Sequence, residues 1–340
     1  MTDISYRTFD VEVRGGLLRV GEWARTDAAG ADDGPVVLAV HGVTSSHLAW
    51  PFVARGLLGS RGEELVRADD GAPPGATGRP TRVVAPDLRG RARSNGLPGP
   101  YGMAQHAEDL AAVLAAAGVD ERRPAVVVGH SMGAFAALVL ADRYPHLLDR
   151  LVLVDGGFPL ATPAGLSRDE ALEALLGPTL ERLGMEFASP AAYIDYWRPH
   201  PAFAHAWAPE IEDYVRYDLD GEAPHLHPAT APAAIPDGNV DLYGGEVLLG
   251  ALERLQVPAV FLRAERGLFD EPAPLYPAEA FARWQRAYPA IRVRDVRGTN
   301  HYTIVMTPDG AAEVVREVLA APAPRALGPA ATAVRETDTP

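Results

Sequence analysis

VVVGHSMGAF, residues 126–135, is the stretch on which the reading of this chain turns. Val126–Val128 is a short apolar run, as a strand buried on both faces requires. MGAFAALVLADRY, residues 132–144, has the pattern of a helix packed against that strand. Between the two lies Gly129-His130-Ser131-Met132-Gly133, a G-x-S-x-G. The five-residue pattern alone is weak, because Gly and Ser are common. Its setting between a buried strand and a helix is specific. It predicts a sharp turn in which glycines let helix and strand approach and the serine hydroxyl stands above the sheet. The competing reading, a serine that merely caps an ordinary helix, leaves the two flanking glycines unexplained.

Outward from this turn the chain alternates between strand and helix patterns. FDVEV and LLRVGEW form two strands joined at Gly15-Gly16, a hairpin. PVVLAVHG and RVVAPD are further buried strands, separated by a short helix over residues 46–58 and a polar, breaker-rich surface excursion over 59–80. Residues 104–117 form a helix with an apolar stripe, and LDRLVLVDGG is the next strand. After Gly157 the rhythm breaks. Residues 158–245 are rich in proline and aromatics, including Tyr193, Tyr196, Trp197, Phe203, Trp207, Tyr214 and Tyr217, and read as helices and loops outside the sheet. Alternation then resumes through VPAVFLRAE, IRVRDVRG and AAEVVREVLAA.

This order predicts an α/β fold with a mostly parallel eight-stranded sheet and helices on both faces. Residues 1–157 and 246–320 supply the core. Residues 158–245 are a mainly helical lid inserted over the strand C-termini, where sites in such sheets lie. The Ala/Pro-rich tail, 321–340, is expected to be disordered. No internal repeat is evident.

Bulk properties exclude several classes of function. The 340-residue chain is 47% hydrophobic, enough to bury a sizeable core. Its net charge of −14 argues against nucleic acid or an anionic membrane as a partner, since both select a basic face. The absence of cysteine rules out disulfides, thiolate metal sites and a cysteine nucleophile. The polar N-terminus carries no secretory signal pattern, and no apolar run reaches spanning length. A cytoplasmic location and a small-molecule substrate are the expectations. Oligomeric state is not legible.

A serine hydroxyl needs a base, and the base needs orienting. His301, in GTNHY just beyond the last strand, fits the base best. His41 and His130 belong to the turns beside the serine. His47, His106 and His146 fall in helical segments, and His200, His205, His225 and His227 in the insertion. His225-x-His227 has metal-ligand spacing but no matched carboxylate, so no metal site is assigned, and no cofactor is required. An oxyanion needs two backbone donors. Met132 N–H follows the nucleophile, and Val43 N–H follows His41-Gly42 after the third strand. These groups predict acyl transfer through an acyl-enzyme.

With these residues in place, the chain resembles the α/β-hydrolase superfamily from about Phe9 to Ala320. The resemblance rests on HGVTSS, VVAPDLRGRARS, VVVGHSMGAF, LVLVDGG and GTNHY in that order. It implies a serine-type hydrolase, since Ser131 stands where haloalkane dehalogenases and epoxide hydrolases carry aspartate. The acid departs from the common pattern. Many members place it after the strand that follows the lid, and there this chain has Gly267, in FLRAERGLFDEP. Some haloalkane dehalogenases also have glycine at that place and take their acid from the end of the strand before the lid. Asp155 has that spacing from Ser131. The reading therefore favours Asp155 and keeps Asp270 and Glu265 as alternatives. Leu268 and Phe269 then become pocket-edge residues. The expected reaction is cleavage of an ester or thioester of a hydrophobic acid. The alternatives are C–C hydrolysis, acyl transfer or cofactor-free perhydrolysis on the same triad, and, ranked last, a ligand-sensing receptor.

Overall fold

The structure, a computed structural model, describes residues 3–26, 34–59, 80–162 and 165–320. Its strands in chain order are β1 (Ile4–Val13), β2 (Gly16–Arg25), β3 (Val36–Val40), β4 (Arg82–Pro86), β5 (Ala125–His130), β6 (Leu148–Val154), β7 (Leu219–Glu222), β8 (His225–Pro228), β9 (Ala259–Ala264) and β10 (Arg292–Val296). Eight of them form one sheet in the order β1-β2-β4-β3-β5-β6-β9-β10. β1, β2 and β4 pair antiparallel, and every other neighbour pairs parallel.

The central strands are apolar on both faces because both faces are covered. Val127, Leu38 and Leu153 enter one core cluster, while Val126, Val37 and Val152 enter the other. This is the period-2 alternation of a strand with no solvent side. The first face carries α2 (Met103–Ala116), α3 (Met132–Arg143), α8 (Glu246–Glu253) and α9 (Ala278–Ala287). The second carries α1 (Pro51–Leu58), α10 (Thr303–Met306) and α11 (Pro308–Leu319). Every residue of α3 from Met132 to Ala141 is buried, as expected of a helix that is apolar all round.

Between β6 and β9 the chain leaves the sheet as α4 (Arg168–Leu183), α5 (Pro190–Trp197), α6 (Pro209–Tyr217) and α7 (Ala234–Leu242). A Ser167/Glu170 capping box starts α4. The β7–β8 hairpin within this insertion was not foreseen. It pairs Leu219 with Pro228 and Glu222 with His225, and Phe187 adds a bridge to Leu226. Its strands are four residues each and mostly polar, too short for a periodicity signal. The expected helix over 46–58 is a turn of 3-10 helix at His47–Ala49 followed by α1, with Pro51 at the first helical position. Most of the excursion over 59–80 and all of the tail 321–340 lie outside the described residues. Among the described residues no helix is long and apolar enough to cross a membrane.

β5, β6 and β9 are neighbours, so their C-terminal ends stand side by side. The ladder continues past the strands. Ser131 N–H donates to the Val154 carbonyl (3.0 Å), and Asp155 N–H to that of Leu262 (2.8 Å). The register of the sheet thus sets the relative heights of Ser131 and Asp155.

Candidate active site

Ser131 links β5 to α3 with φ 53° and ψ −128°, a sparsely populated conformation that costs about 1–3 kcal/mol. The surroundings hold it there. A Cβ on Gly133 would lie 2.2 Å from the Val40 carbonyl oxygen, and one on Gly129 would lie 2.5 Å from the Ala134 Cα. Only glycine lets α3 approach β3 and β5 this closely.

His301 follows β10 and the loop to Asn300. Its Nδ1 lies 2.7 Å from Asp155 Oδ2, and Asp155 Oδ1 accepts the Ala264 N–H at 3.1 Å. Asp155 is fully buried and His301 nearly so. An ionised carboxylate only accepts, so Nδ1 carries the imidazole proton and Nε2 presents its lone pair. The other two carboxylates bond elsewhere. Asp270 Oδ1 accepts from Arg266 Nε (2.6 Å) and Asn300 Nδ2 (2.9 Å). Burial pushes the Asp270 carboxyl up, but the bonds from Asn300 and Arg266 override it and hold it below its ordinary value. Glu265 accepts the Gly298 N–H at 2.7 Å. A side chain at Gly267 would meet the Glu271 carboxylate at 2.4 Å and the Ala273 carbonyl at 2.8 Å.

Val43 is oriented through His41. Leu88 N–H donates to His41 Nε2 (2.9 Å), so the proton is on Nδ1, which donates to the Gly42 carbonyl (2.8 Å). Burial keeps this imidazole neutral by lowering its pKa to about 4. In a trans peptide N–H and C=O point opposite ways. With the Gly42 carbonyl drawn to His41, the Val43 N–H faces the other side. Met132 opens α3, and its N–H is among the first-turn donors that a helix leaves unpaired.

Three residues to which the sequence reading gave no catalytic role complete the surroundings. Arg91, fully buried, donates to the Val43 carbonyl (3.0 Å), to the Ala234 carbonyl of the insertion (2.9 Å) and to Met132 Sδ (3.4 Å). Burial lowers its pKa to about 10, so it stays charged at neutral pH. Asn300 uses its whole side-chain capacity. Oδ1 accepts from Tyr302 and Thr303 N–H, and Nδ2 donates to Asp270 and to the Ala202 carbonyl of the insertion. His130 Nε2 donates to the His301 carbonyl at 2.7 Å. Burial, with His301 beside it, holds its pKa well below the ordinary value. The common signal was position: each lies inside a motif already quoted.

Ser131, Asp155, His301, Val43 and Met132 line one cavity, with Phe135 from α3, Leu268 and Leu275 from beyond β9, and Leu160, Leu175, Leu176 and Leu242 from the insertion. Its volume is about 30 Å³, room for about one water. Larger cavities, of about 690 and 630 Å³, lie elsewhere. Phe269 packs on His200, 5.4 Å between rings. The insertion aromatics Tyr193, Trp197, Phe203 and Tyr214 are buried in the cluster that also covers the second face of the sheet. His225 is exposed on the hairpin and pairs with Glu186.

Comparison with known proteins bears on the family. An uncharacterized protein of Mycobacterium tuberculosis is 28% identical over 127 residues, 37% of this chain and 30% of that protein. The chain thus spans under a third of this curated relative. The crystal structure of E-2-(acetamidomethylene)succinate hydrolase superposes with a TM-score of 0.67 at 21% identity, covering 92% of this chain and 99% of that one. The thioesterase domain from the curacin biosynthetic pathway superposes with 0.65 at 21% identity, covering 93% and 99%. At these identities the likeness is one of fold. The model of the alpha/beta hydrolase family matches residues 36–317, most of the chain, and the protein belongs to that family.

Proposed function

We propose that the protein is a serine hydrolase that cleaves a carboxylic ester or thioester of a hydrophobic small molecule. The observation that carries this reading is the Asp155–His301 hydrogen bond at 2.7 Å, in one cavity with the strained Ser131. His301 Nε2 takes the Ser131 proton as Oγ attacks the carbonyl carbon. The Val43 and Met132 N–H groups stabilise the oxyanion. The proton on His301 passes to the leaving group, and His301 then activates a water that releases the acid. Asp155 stays ionised, fixes the tautomer and stabilises the imidazolium.

The cavity wall supports a hydrophobic acyl or leaving group. Its lining is leucine-rich and, among the described residues, includes no arginine, so a second carboxylate on the substrate would be desolvated without a counter-charge from them. Residues 158–245 act as the lid. A water-sized cavity admits a substrate only when the leucines of the insertion move aside. The test is a series of p-nitrophenyl esters of increasing chain length, assayed with the wild type and Ser131→Ala. Turnover that rises with acyl length and vanishes in Ser131→Ala is the expected result. Full activity in Ser131→Ala would sink the mechanism.

A further inference from the structure

A cavity of about 690 Å³ lies between the β1–β2 hairpin, the start of α1 and helix α6 of the insertion, with Tyr6, Trp23, Leu48, Arg55, Arg93 and Tyr217 among its lining. That volume suits a small molecule. A chain of hydrogen bonds opens into it. Asp87 Oδ1 accepts both the backbone N–H of His47 (2.9 Å) and its Nδ1–H (2.8 Å). His47 Nε2 is therefore the acceptor, and the Tyr6 hydroxyl donates to it at 2.6 Å. Asp87 Oδ2 accepts from the Tyr217 hydroxyl (2.8 Å) and the Arg93 N–H (3.2 Å). His47 and Asp87 are fully buried, whereas Tyr6 is 48% exposed. The order carboxylate, imidazole, hydroxyl repeats that of Asp155, His301 and Ser131, with a phenol in place of the alcohol.

We propose that Tyr6, His47 and Asp87 form a second, acyl-accepting site, at which the Tyr6 hydroxyl takes an acyl group from an aryl ester bound in this cavity. Tyr6 Oη forms a bond to the acyl carbon, the bond from that carbon to the aryl oxygen breaks, and the aryloxide leaves. The phenolic proton passes to His47 Nε2, and Asp87 stabilises the imidazolium so formed. Burial and the Asp87 charge raise the Tyr6 pKa, so the phenol holds its proton at neutral pH and needs this base. Trp23, 5.1 Å from the Tyr6 ring, and Leu48 offer an apolar seat for the aryl group. The guanidinium groups of Arg55, Arg93 and Arg216, set against the carboxylates of Glu210 and Asp213, favour charge developing on the aryl oxygen.

The chain suits a direct test because it contains neither lysine nor cysteine to compete for acyl groups. Full-length Ser131→Ala is treated with p-nitrophenyl acetate at neutral pH, and acetylation is mapped by peptide mass spectrometry. Tyr196, at 37% exposure, is the internal control. Acetyl-Tyr6 should form on the order of 10²-fold faster than acetyl-Tyr196, the range of general-base assistance. His47→Gln should bring the two rates together, and Tyr6→Phe should remove the fast adduct. Equal rates at Tyr6 and Tyr196, or a Tyr6 rate unchanged by His47→Gln, would overturn the proposal. The first comparison needs no change at His47, so it decides even where that variant fails to fold. Because the readout is an adduct on a named residue, it stands or falls separately from the role of Ser131.

Discussion

Asp155→Asn is the sharpest perturbation of the candidate site. The amide is nearly isosteric, and its oxygen can still accept the Ala264 N–H that Asp155 accepts at 3.1 Å. Its NH₂ then faces His301 Nδ1, 2.7 Å from the present carboxylate oxygen, and two donors meet. The clash resolves by moving the imidazole proton to Nε2, the atom that should take the Ser131 proton. Loss of the orienting acid with retained geometry costs on the order of 10⁴ in kcat, or about 5 kcal/mol of transition-state stabilisation. The loss should fall equally on kcat and kcat/KM, because the interaction strengthens only as the imidazolium forms. The assay is p-nitrophenyl ester hydrolysis at neutral pH, with melting curves to establish that the variant is folded. Asp270→Asn is the matched control. Asp270 bonds Arg266 and Asn300 rather than His301, so its loss should cost no more than about tenfold. An Asp155→Asn enzyme within tenfold of wild type, or an Asp270→Asn enzyme that is the crippled one, would refute the reasoning.

Ser131→Gly should raise Tm by a few degrees while abolishing turnover, since glycine relieves the strain at φ 53°; an unchanged or lower Tm would show that the turn stores none. Gly133→Ala should destabilise by about 2–3 kcal/mol or prevent soluble expression, because the new Cβ would sit 2.2 Å from the Val40 carbonyl oxygen; denaturant melts decide. His41, His106 and His130 are buried with pKa values lowered primarily by burial, His41 to about 4. Unfolding lets each take up a proton below about pH 6.5. Their contribution is therefore constant above that pH and is lost as pH falls from 6.5 toward 4, at up to about 1.4 kcal/mol per unit for His41. Tm measured from pH 7 to 5 should fall, and a flat profile counts against buried neutral histidines. Leu176→Ala enlarges the cavity that Ser131 also lines and should lower KM for longer acyl chains, by roughly fourfold per added methylene accommodated; a chain-length series reads this out.

The buried strands were legible because a parallel strand covered on both faces is apolar along its whole length, as in PVVLAVHG and PAVVVGHS. The G-x-S-x-G turn was legible because its requirements are local: close backbone approach allows only glycine at 129 and 133. The β7–β8 hairpin carried no such mark, being short, polar and dependent on Phe187 from a distant segment. Which residues of the insertion wall the cavity was not legible. The conspicuous aromatics of the insertion pack on each other, while the inconspicuous Leu160, Leu175, Leu176 and Leu242 face Ser131. Which side of an insertion helix faces the sheet depends on how the whole insertion docks.

What the sequence determined by itself was the set of strands, their alternation with helices, and the place of Ser131 in a turn that steric contact dictates. These depend on residues adjacent in the chain. The contact between Asp155 and His301 is of another kind. The two are 146 residues apart, and loop lengths alone left Asp270 and Glu265 within reach of the same imidazole. Sheet order placed β6 between β5 and β9, and the Ala264 N–H and His301 Nδ1 then converged on one buried carboxylate. Arg266 and Asn300 took up Asp270, and the Gly298 N–H took up Glu265. In the tertiary structure His301 bonds Asp155 rather than Asp270 or Glu265 because each carboxylate can accept only the donors that packing brings within about 3 Å of it.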